Sequence, residues 1–436
     1  MMTSKHTTIG GILLCLIFSA ATSAANLGSA IDKAMPDAES LYLDLHQHPE
    51  LSFHETQTAA KIADRLRTLG YEVTTGVGGT GVVAILKNGS GPVVMLRTEL
   101  DALPIEEQTG ATYASKVKTH NDAGVEVPVM HACGHDLHMA SLVGTAIVMA
   151  QNRTAWLGTL ILIGQPAEEV IGGAEAMLKD GLFTRFPKPD IAFAVHDTEM
   201  LPAGEVGYTS GYNLTSADSV DIVFYGRGAH GSRPHLAIDP IVIASRAVLG
   251  WQTIVSREVQ PGEHAVITVG SFHAGTKNNI IPDEAHLQLT VRTYKPEVRK
   301  MVLASIERIA KAEALAAGAP REPAIKIYES TPATYNDPEI TNRLSKALEA
   351  NLGHDRVKQL PPDFPSEDFS RYQEAGAKTV MLRVGATNPE KFVAAQKNGD
   401  VLPGLHTARF LPDLKPSLHT AIETEVVSLM ELMGTK

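Results

Sequence analysis

Cysteine is close to absent: Cys15 and Cys133 are the only two in 436 residues. Cys15 sits in an apolar run near the N-terminus that reads as a removable leader, which leaves Cys133 alone. A single cysteine excludes an intramolecular disulfide. Basic runs are missing too. The 38 Lys and Arg face 49 Asp and Glu, a formal net charge of −11. A nucleic-acid face needs cations against phosphate, so no nucleic-acid partner is expected. Beyond the N-terminal run, no stretch is long and apolar enough to span a bilayer. There is neither an internal repeat nor a low-complexity tract.

What is present reads as globular, at 44% hydrophobic and 20% charged residues. The length predicts two domains. Lys5 and His6 precede the apolar run Ile9–Ala21, and Thr22-Ser23-Ala24-Ala25 follows it. This is the pattern of a secretory signal peptide over residues 1–25, cut after Ala24 or Ala25. It predicts a secreted or periplasmic protein. The run falls short of the roughly 20 residues that a membrane span needs. A lone thiol in an oxidising compartment needs something to hold it, and metal coordination would do so.

Cys133 lies in the stretch richest in chemistry, Met130-His131-Ala132-Cys133-Gly134-His135-Asp136-Leu137-His138. Gly134 lets the backbone bend, and Met139–Gln151 reads as a helix. A thiolate and an imidazole on a turn that opens a helix can point at one ion. With a carboxylate they suit zinc or another borderline first-row metal. The competing reading is a buried cysteine beside histidines that cap a helix.

Periodicity and turn residues place the other elements. Helices are expected at Ala38–His48 and Thr56–Leu69. Strands Gly81–Lys87 and Pro92–Arg97 flank the turn signal Asn88-Gly89-Ser90-Gly91. The second strand leads to Glu99 and Asp101, at the strand edge where open α/β sheets bind ligands. Strand Gly158–Gly164 delivers Glu168 and Glu169, with a helix at Ala174–Lys179. Strand Ile191–Val195 delivers His196. Asp101, Cys133, His135, Glu168, Glu169 and His196 are therefore expected on one edge. One of the adjacent carboxylates at 168–169 can hold a metal while the other takes a proton from water.

From about Thr215 the order becomes βαββαβ: strands Ser219–Tyr225, Ala265–Ala274, Glu284–Thr293 and Ala324–Glu329, with helices Pro240–Ser256 and Glu297–Ala317. Helix Glu339–Asn351, strand Ala377–Val384 and helix Pro416–Met433 then resume α/β character, and His406 lies in the segment before the last helix. The expected fold is α/β with two domains. A catalytic domain with a mixed sheet is formed by residues 26–213 and 331–436. A ferredoxin-like unit, residues 214–330, is inserted into it.

Seven motifs carry a family resemblance: Leu-Asp-Ala-Leu-Pro (100–104), Met-His-Ala-Cys-Gly-His-Asp (130–136), Gln-Pro-Ala-Glu-Glu (165–169), Gly-Ala-His-Gly-Ser-Arg-Pro-His (228–235), Asn-Ile-Ile-Pro (279–282), Ser-Glu-Asp-Phe (366–369) and Leu-His-Thr-Ala-Arg-Phe (405–410). In order and spacing the chain resembles the M20 metallopeptidases and amidohydrolases, in particular the aminoacylase, hippurate and indole-acetyl-amino-acid hydrolase branch. The resemblance implies two divalent ions, zinc or manganese first and cobalt or nickel next, held by Cys133, His135, Glu169, His196 and His406. It implies Glu168 as general base, and Asp101 as a group that orients a ligand. His230 would stabilise the oxyanion, from a partner subunit or after domain closure. Asn279 and Arg292 would bind a substrate carboxylate, although Arg292 also reads as an ordinary solvated strand residue. His131, His138, His235 and His419 read as structural or rim residues.

The implied activity is hydrolysis of the amide of an N-acyl amino acid or a small peptide-like substrate. A dipeptidase or carboxypeptidase is the runner-up, and a non-catalytic metal- or amino-acid-binding protein is the other class. Glu168 discriminates, because a binding module needs no proton acceptor beside its ligands. The resemblance also implies a homodimer through the inserted unit, which would act as a lid. Three features depart from the branch: Glu99 stands where Asp is usual, Asp197 follows His196, and an export signal is present.

Overall fold

The computed structural model describes residues 12–434, with side chains from Leu27 onward. The first eleven residues of the expected signal peptide lie outside the described residues. Among the described residues no helix is long and apolar enough to cross a membrane.

An eight-stranded mixed sheet organises the larger part of the chain. Its order is Glu72–Val77, Gly81–Asn88, Gly158–Gln165, Val93–Glu99, Ile191–Pro202, Lys378–Thr387, Val206–Tyr208 and Val357–Gln359. The four strands from Gly158–Gln165 to Lys378–Thr387 are mutually parallel. Their apolar runs of Val, Ile, Leu and Ala are buried on both faces, as parallel strands require. One face packs against the helices Ile12–Gln47, His135–Gln151, Pro338–Leu352 and Leu414–Met433. Gly173–Lys179, Leu182–Arg185 and Ser370–Glu374 cover the other face.

Three expectations need correction here, and two elements were not expected. The first helix spans Ile12–Gln47, not Ala38–His48, and carries Pro36 inside it. The strands on either side of Asn88-Gly89-Ser90-Gly91 do not pair with each other. Gly158–Gln165 lies between them, antiparallel to one and parallel to the other. A turn signal reports only that the chain reverses, and burial of two apolar faces selected the neighbour. The strand expected to stop at Val195 runs to Pro202, so His196 lies within it, paired with Arg383. The strand Glu72–Val77 and the helix Pro389–Asn398 went unread.

A second sheet has the order Ala265–Ala274, Glu284–Thr293, Ala217–Tyr225, Ala324–Thr331, with every neighbour antiparallel. This is the order that the βαββαβ succession produces. Leu287, Leu289 and Val291 alternate inward beneath helices Pro240–Thr253 and Pro296–Ala316. The first of these helices ends three residues earlier than expected and passes into a π turn, Ile254–Glu258.

Candidate active site

Sheet-edge geometry brings most of the expected residues together. Asp101 follows the strand Val93–Glu99, Glu168 and Glu169 follow Gly158–Gln165, and His196 stands where Ile191–Pro202 outruns its neighbour. Helix His135–Gln151 starts earlier than expected, so His135 is its first residue. Gly134 before it has φ 73°, and a Cβ there would stand 2.3 Å from Asp197 Oδ2. Only glycine fits both constraints. Ala167 (φ 50°) and His406 (φ 62°) are non-glycine residues in left-handed conformations. Such strain concentrates where surrounding structure holds a functional group in place. Glu55, fully buried, accepts from the Ala167 amide at 2.8 Å and so anchors the loop that carries Glu168 and Glu169.

Cys133, His135 and Glu169 offer ligand atoms within 4.8 Å of one another. His406 Nε2 lies 3.2 Å from Cys133 Sγ and 3.4 Å from Glu169 Oε2. His196 Nε2 lies 3.6 Å from Cys133 Sγ. The other ring nitrogens of His135 and His196 are occupied. His135 Nδ1 donates to the Asp101 carbonyl at 2.8 Å, and His196 Nδ1 to the Asp197 carbonyl at 2.8 Å. These bonds aim each Nε2 into the cluster, as partners behind metal ligands do. Asp101 accepts from Ser52 Oγ at 2.6 Å and from the Glu169 amide at 3.0 Å, tying it to the same loop.

Buried polar atoms normally find partners. Here His135 Nε2, Glu169 Oε1, Asp101 Oδ1 and Asp197 Oδ2 are buried with none. Burial lifts the Glu169 carboxyl to about 8 despite His135. Burial, with Glu169 and Glu168 nearby, pushes the Cys133 thiol well up. Burial and the His138 charge lower His196 to about 4, which keeps its ring neutral and free to donate a lone pair. A cation among these atoms reverses the first two shifts and satisfies the orphaned ones. The donor set of thiolate, imidazole and carboxylate thus fits borderline divalent ions.

Glu168 stands outside this ring of donors. It groups instead with Glu367 and Asp368. Burial and then the charges of Glu367, Glu169 and Asp368 push it far above the carboxylate range, against Arg97. Arg97 is itself fully buried. It donates to Gln165 Oε1 at 3.0 Å, Glu367 Oε1 at 2.6 Å and Asp368 Oδ1 at 3.2 Å, and it also binds Glu99. Glu99 in turn accepts from His138 Nδ1 at 2.9 Å, and His138 Nε2 donates to Asp197 Oδ1 at 3.2 Å. His138 is therefore structural, and the extra methylene of Glu99 bridges it to Arg97.

These groups open onto a cavity of about 660 Å³ whose wall includes Cys133, Glu168, Glu169, His196, His406 and Arg292. Arg292 Nη1 donates to Ser366 Oγ at 2.5 Å. His230 and Asn279 do not join them. They line a separate cavity on the second sheet unit, where His230 is exposed and its Nδ1 lies 2.8 Å from Ser232 Oγ. Arg97, Glu55 and the pair Glu367-Asp368 were given no role from sequence. A lone arginine after the apolar run Val93-Val94-Met95-Leu96 and the Ser-Glu-Asp-Phe motif were the available signals.

Comparison with known proteins agrees with this geometry. Residues 95–402 match Peptidase family M20/M25/M40. An N-acetylcysteine deacetylase of Bacillus subtilis is 39% identical over 335 residues, covering 76% of this chain and 83% of that protein. Thermostable carboxypeptidase 1 of Saccharolobus solfataricus is 35% identical over 374 residues, covering 85% and 88%. A solved dinuclear metal-binding peptidase of the M20 family from Bacillus subtilis superposes with a TM-score of 0.74 at 32% identity, covering 92% of this chain and 98% of that one. With the motifs, the two-sheet fold and the buried donor cluster in agreement, this chain belongs to peptidase family M20/M25/M40 and is a metal-dependent hydrolase of amide bonds.

Proposed function

We propose that the protein releases an amino acid from an N-acyl amino acid by hydrolysis, with Cys133, His135, Glu169, His196 and His406 holding two divalent ions. Bound there, the ions would supply Lewis-acid polarisation of the amide carbonyl and acidify an attacking water. Glu168 takes a proton from the water that adds to the carbonyl carbon. It returns that proton to the amide nitrogen as the C–N bond breaks, giving a carboxylic acid and a free amine. Positive charge in the pocket draws Glu168 back towards the range in which it can accept a proton. Asp101 holds the His135 ring in orientation. Arg292 binds the substrate carboxylate through its planar fork.

The position of Glu168 carries this reading: it is buried on the cavity wall, beside the donor ring yet outside it. Zinc or manganese is the expected metal, because Cys133 disfavours a hard ion such as magnesium. His230 and Asn279 act from a partner subunit or after residues 214–330 close as a lid. Exposed Val242, Leu249 and Ile280 on that unit support a homodimer contact. The leader pattern supports export. A dipeptide or carboxypeptidase substrate is the second reading, favoured by the name of the Saccharolobus relative.

The test compares wild type with Glu168→Gln on a panel of N-acyl amino acids after metal reconstitution. The variant should keep both ions and lose about 10²- to 10⁴-fold in kcat. Retention of activity by the variant would remove Glu168 from the mechanism. Metal binding without hydrolysis by wild type would point to the binding-protein class or to a substrate outside the panel.

A further inference from the structure

Arg383 is a buried cation that this reaction does not use. It lies in the strand Lys378–Thr387, directly opposite His196 in the neighbouring parallel strand. Opposite residues on adjacent strands point to the same face. Arg383 accordingly lines the cavity that His196 lines, at 7% exposure. Its Nη2 donates to Asn213 Oδ1 at 2.9 Å, and its Nη1 approaches Asp363 Oδ2 at 3.4 Å. Asp363 and Glu199 are the acids that face it. A close guanidinium–carboxylate pair is two-pronged and shorter, at about 2.7–2.9 Å. Arg383 has five donors and no such partner among the described residues. Arg292 stands on the same cavity wall with Ser366 as its hydrogen-bond partner and no carboxylate within salt-bridge distance among the described residues. Leu214, Met381 and Phe364 line the same cavity together with the acids Glu199, Glu329 and Asp363.

We infer that Arg383 is a specificity residue for a second anionic group, so that the preferred substrates are N-acyl derivatives of acidic amino acids, one carboxylate at Arg292 and the other at Arg383. This rests on the amide-hydrolase reading above and names its substrate class.

The test measures kcat/KM of the metal-loaded full chain for N-acetyl-L-glutamate and its neutral isostere N-acetyl-L-glutamine, with N-acetyl-L-methionine as a reference. Wild type, Arg383→Met and Arg383→Lys are compared. Wild type should favour glutamate over glutamine. Arg383→Met should lower that ratio about tenfold to a hundredfold, the scale of a charged hydrogen bond. The loss should appear chiefly in KM, and Arg383→Lys should recover part of it. The ratio does not depend on how much of a variant is folded, so a merely structural role leaves it unmoved. A wild type that prefers glutamine, or a ratio unchanged in Arg383→Met, overturns the inference while the methionine substrate still reports the parent activity. If wild type cleaves none of the three, the N-acyl amino acid reading fails and the inference falls with it.

Discussion

Arg97 and Cys133 lie under the same sheet edge, yet the buried charge around them is settled differently. Around Arg97, the carboxylates of Glu99, Glu367 and Asp368 surround one guanidinium. Gln165 and the Ala174 amide supply further hydrogen bonds to Asp368, at 2.6 Å and 2.9 Å. Around Cys133, buried donor atoms are left without a partner among the described residues, and His135 Nε2 and Glu169 Oε1 face each other unbonded at 3.9 Å. Folding tolerates an unpaired buried polar atom only at a cost of about 1–3 kcal/mol each. The first cluster is complete as a support for Glu168 and its loop. The second is complete only with an added cation. Adjacent buried carboxylates thus serve two purposes, and the presence or absence of an internal arginine distinguishes them.

That contrast can be broken in four ways, from the largest expected effect to the smallest. Chelation and dialysis should abolish hydrolysis by about a thousandfold or more, restored by zinc or manganese, because metal chemistry supplies most of the barrier reduction. Activity that survives complete metal removal, verified by elemental analysis, would refute the second cluster's dependence on a cation. Arg97→Met should cost roughly 3–5 kcal/mol in urea unfolding, since three carboxylates lose their counter-charge. A loss below about 1 kcal/mol would mean that the first cluster is not held by its arginine.

Glu425 offers a third arrangement, a fully buried carboxyl satisfied by hydroxyls alone. It accepts from Ser141 Oγ at 2.7 Å and Thr145 Oγ1 at 2.6 Å. Burial raises it to about 7 from an ordinary 4.5. The folded state therefore holds the proton more tightly than the unfolded state. Stability from this group is full below about pH 4.5 and is lost as pH rises through 7, by roughly 3 kcal/mol in all. Glu425→Gln should flatten the fall in unfolding free energy between about pH 4.5 and 7; an unchanged slope would show that the carboxyl is not the source. The smallest effect is expected for Cys133→Ser in metal-free protein, within about 1 kcal/mol of wild type, while its zinc stoichiometry falls. A strongly destabilised metal-free variant would make Cys133 a packing residue instead.

Some of this is legible in the sequence. Glu284–Thr293 falls where alternation put it, because a half-buried strand writes its period into local sequence. Asp101, Cys133, His135, Glu168, Glu169 and His196 were expected on one edge, and the structure brings them there. Arg97 was not legible as a hub, since its partners Glu367 and Asp368 are about 270 positions away. The sheet order was hidden for a similar reason: the strand between Gly81–Asn88 and Val93–Glu99 arrives some sixty residues later. His230 and Asn279 share the motif strength of the other site residues, yet the chain's own fold leaves them in a separate cavity.

By itself, the sequence determined the family, the types of donor available and the succession of strands and helices. These depend on short spacings and on side-chain chemistry that no packing alters. Tertiary structure alone decided which buried carboxylates share an internal arginine, which have none, and that Arg383 stands beside His196. Those outcomes depend on strand register and burial between distant segments, where a shift of one residue would turn each side chain to the opposite face.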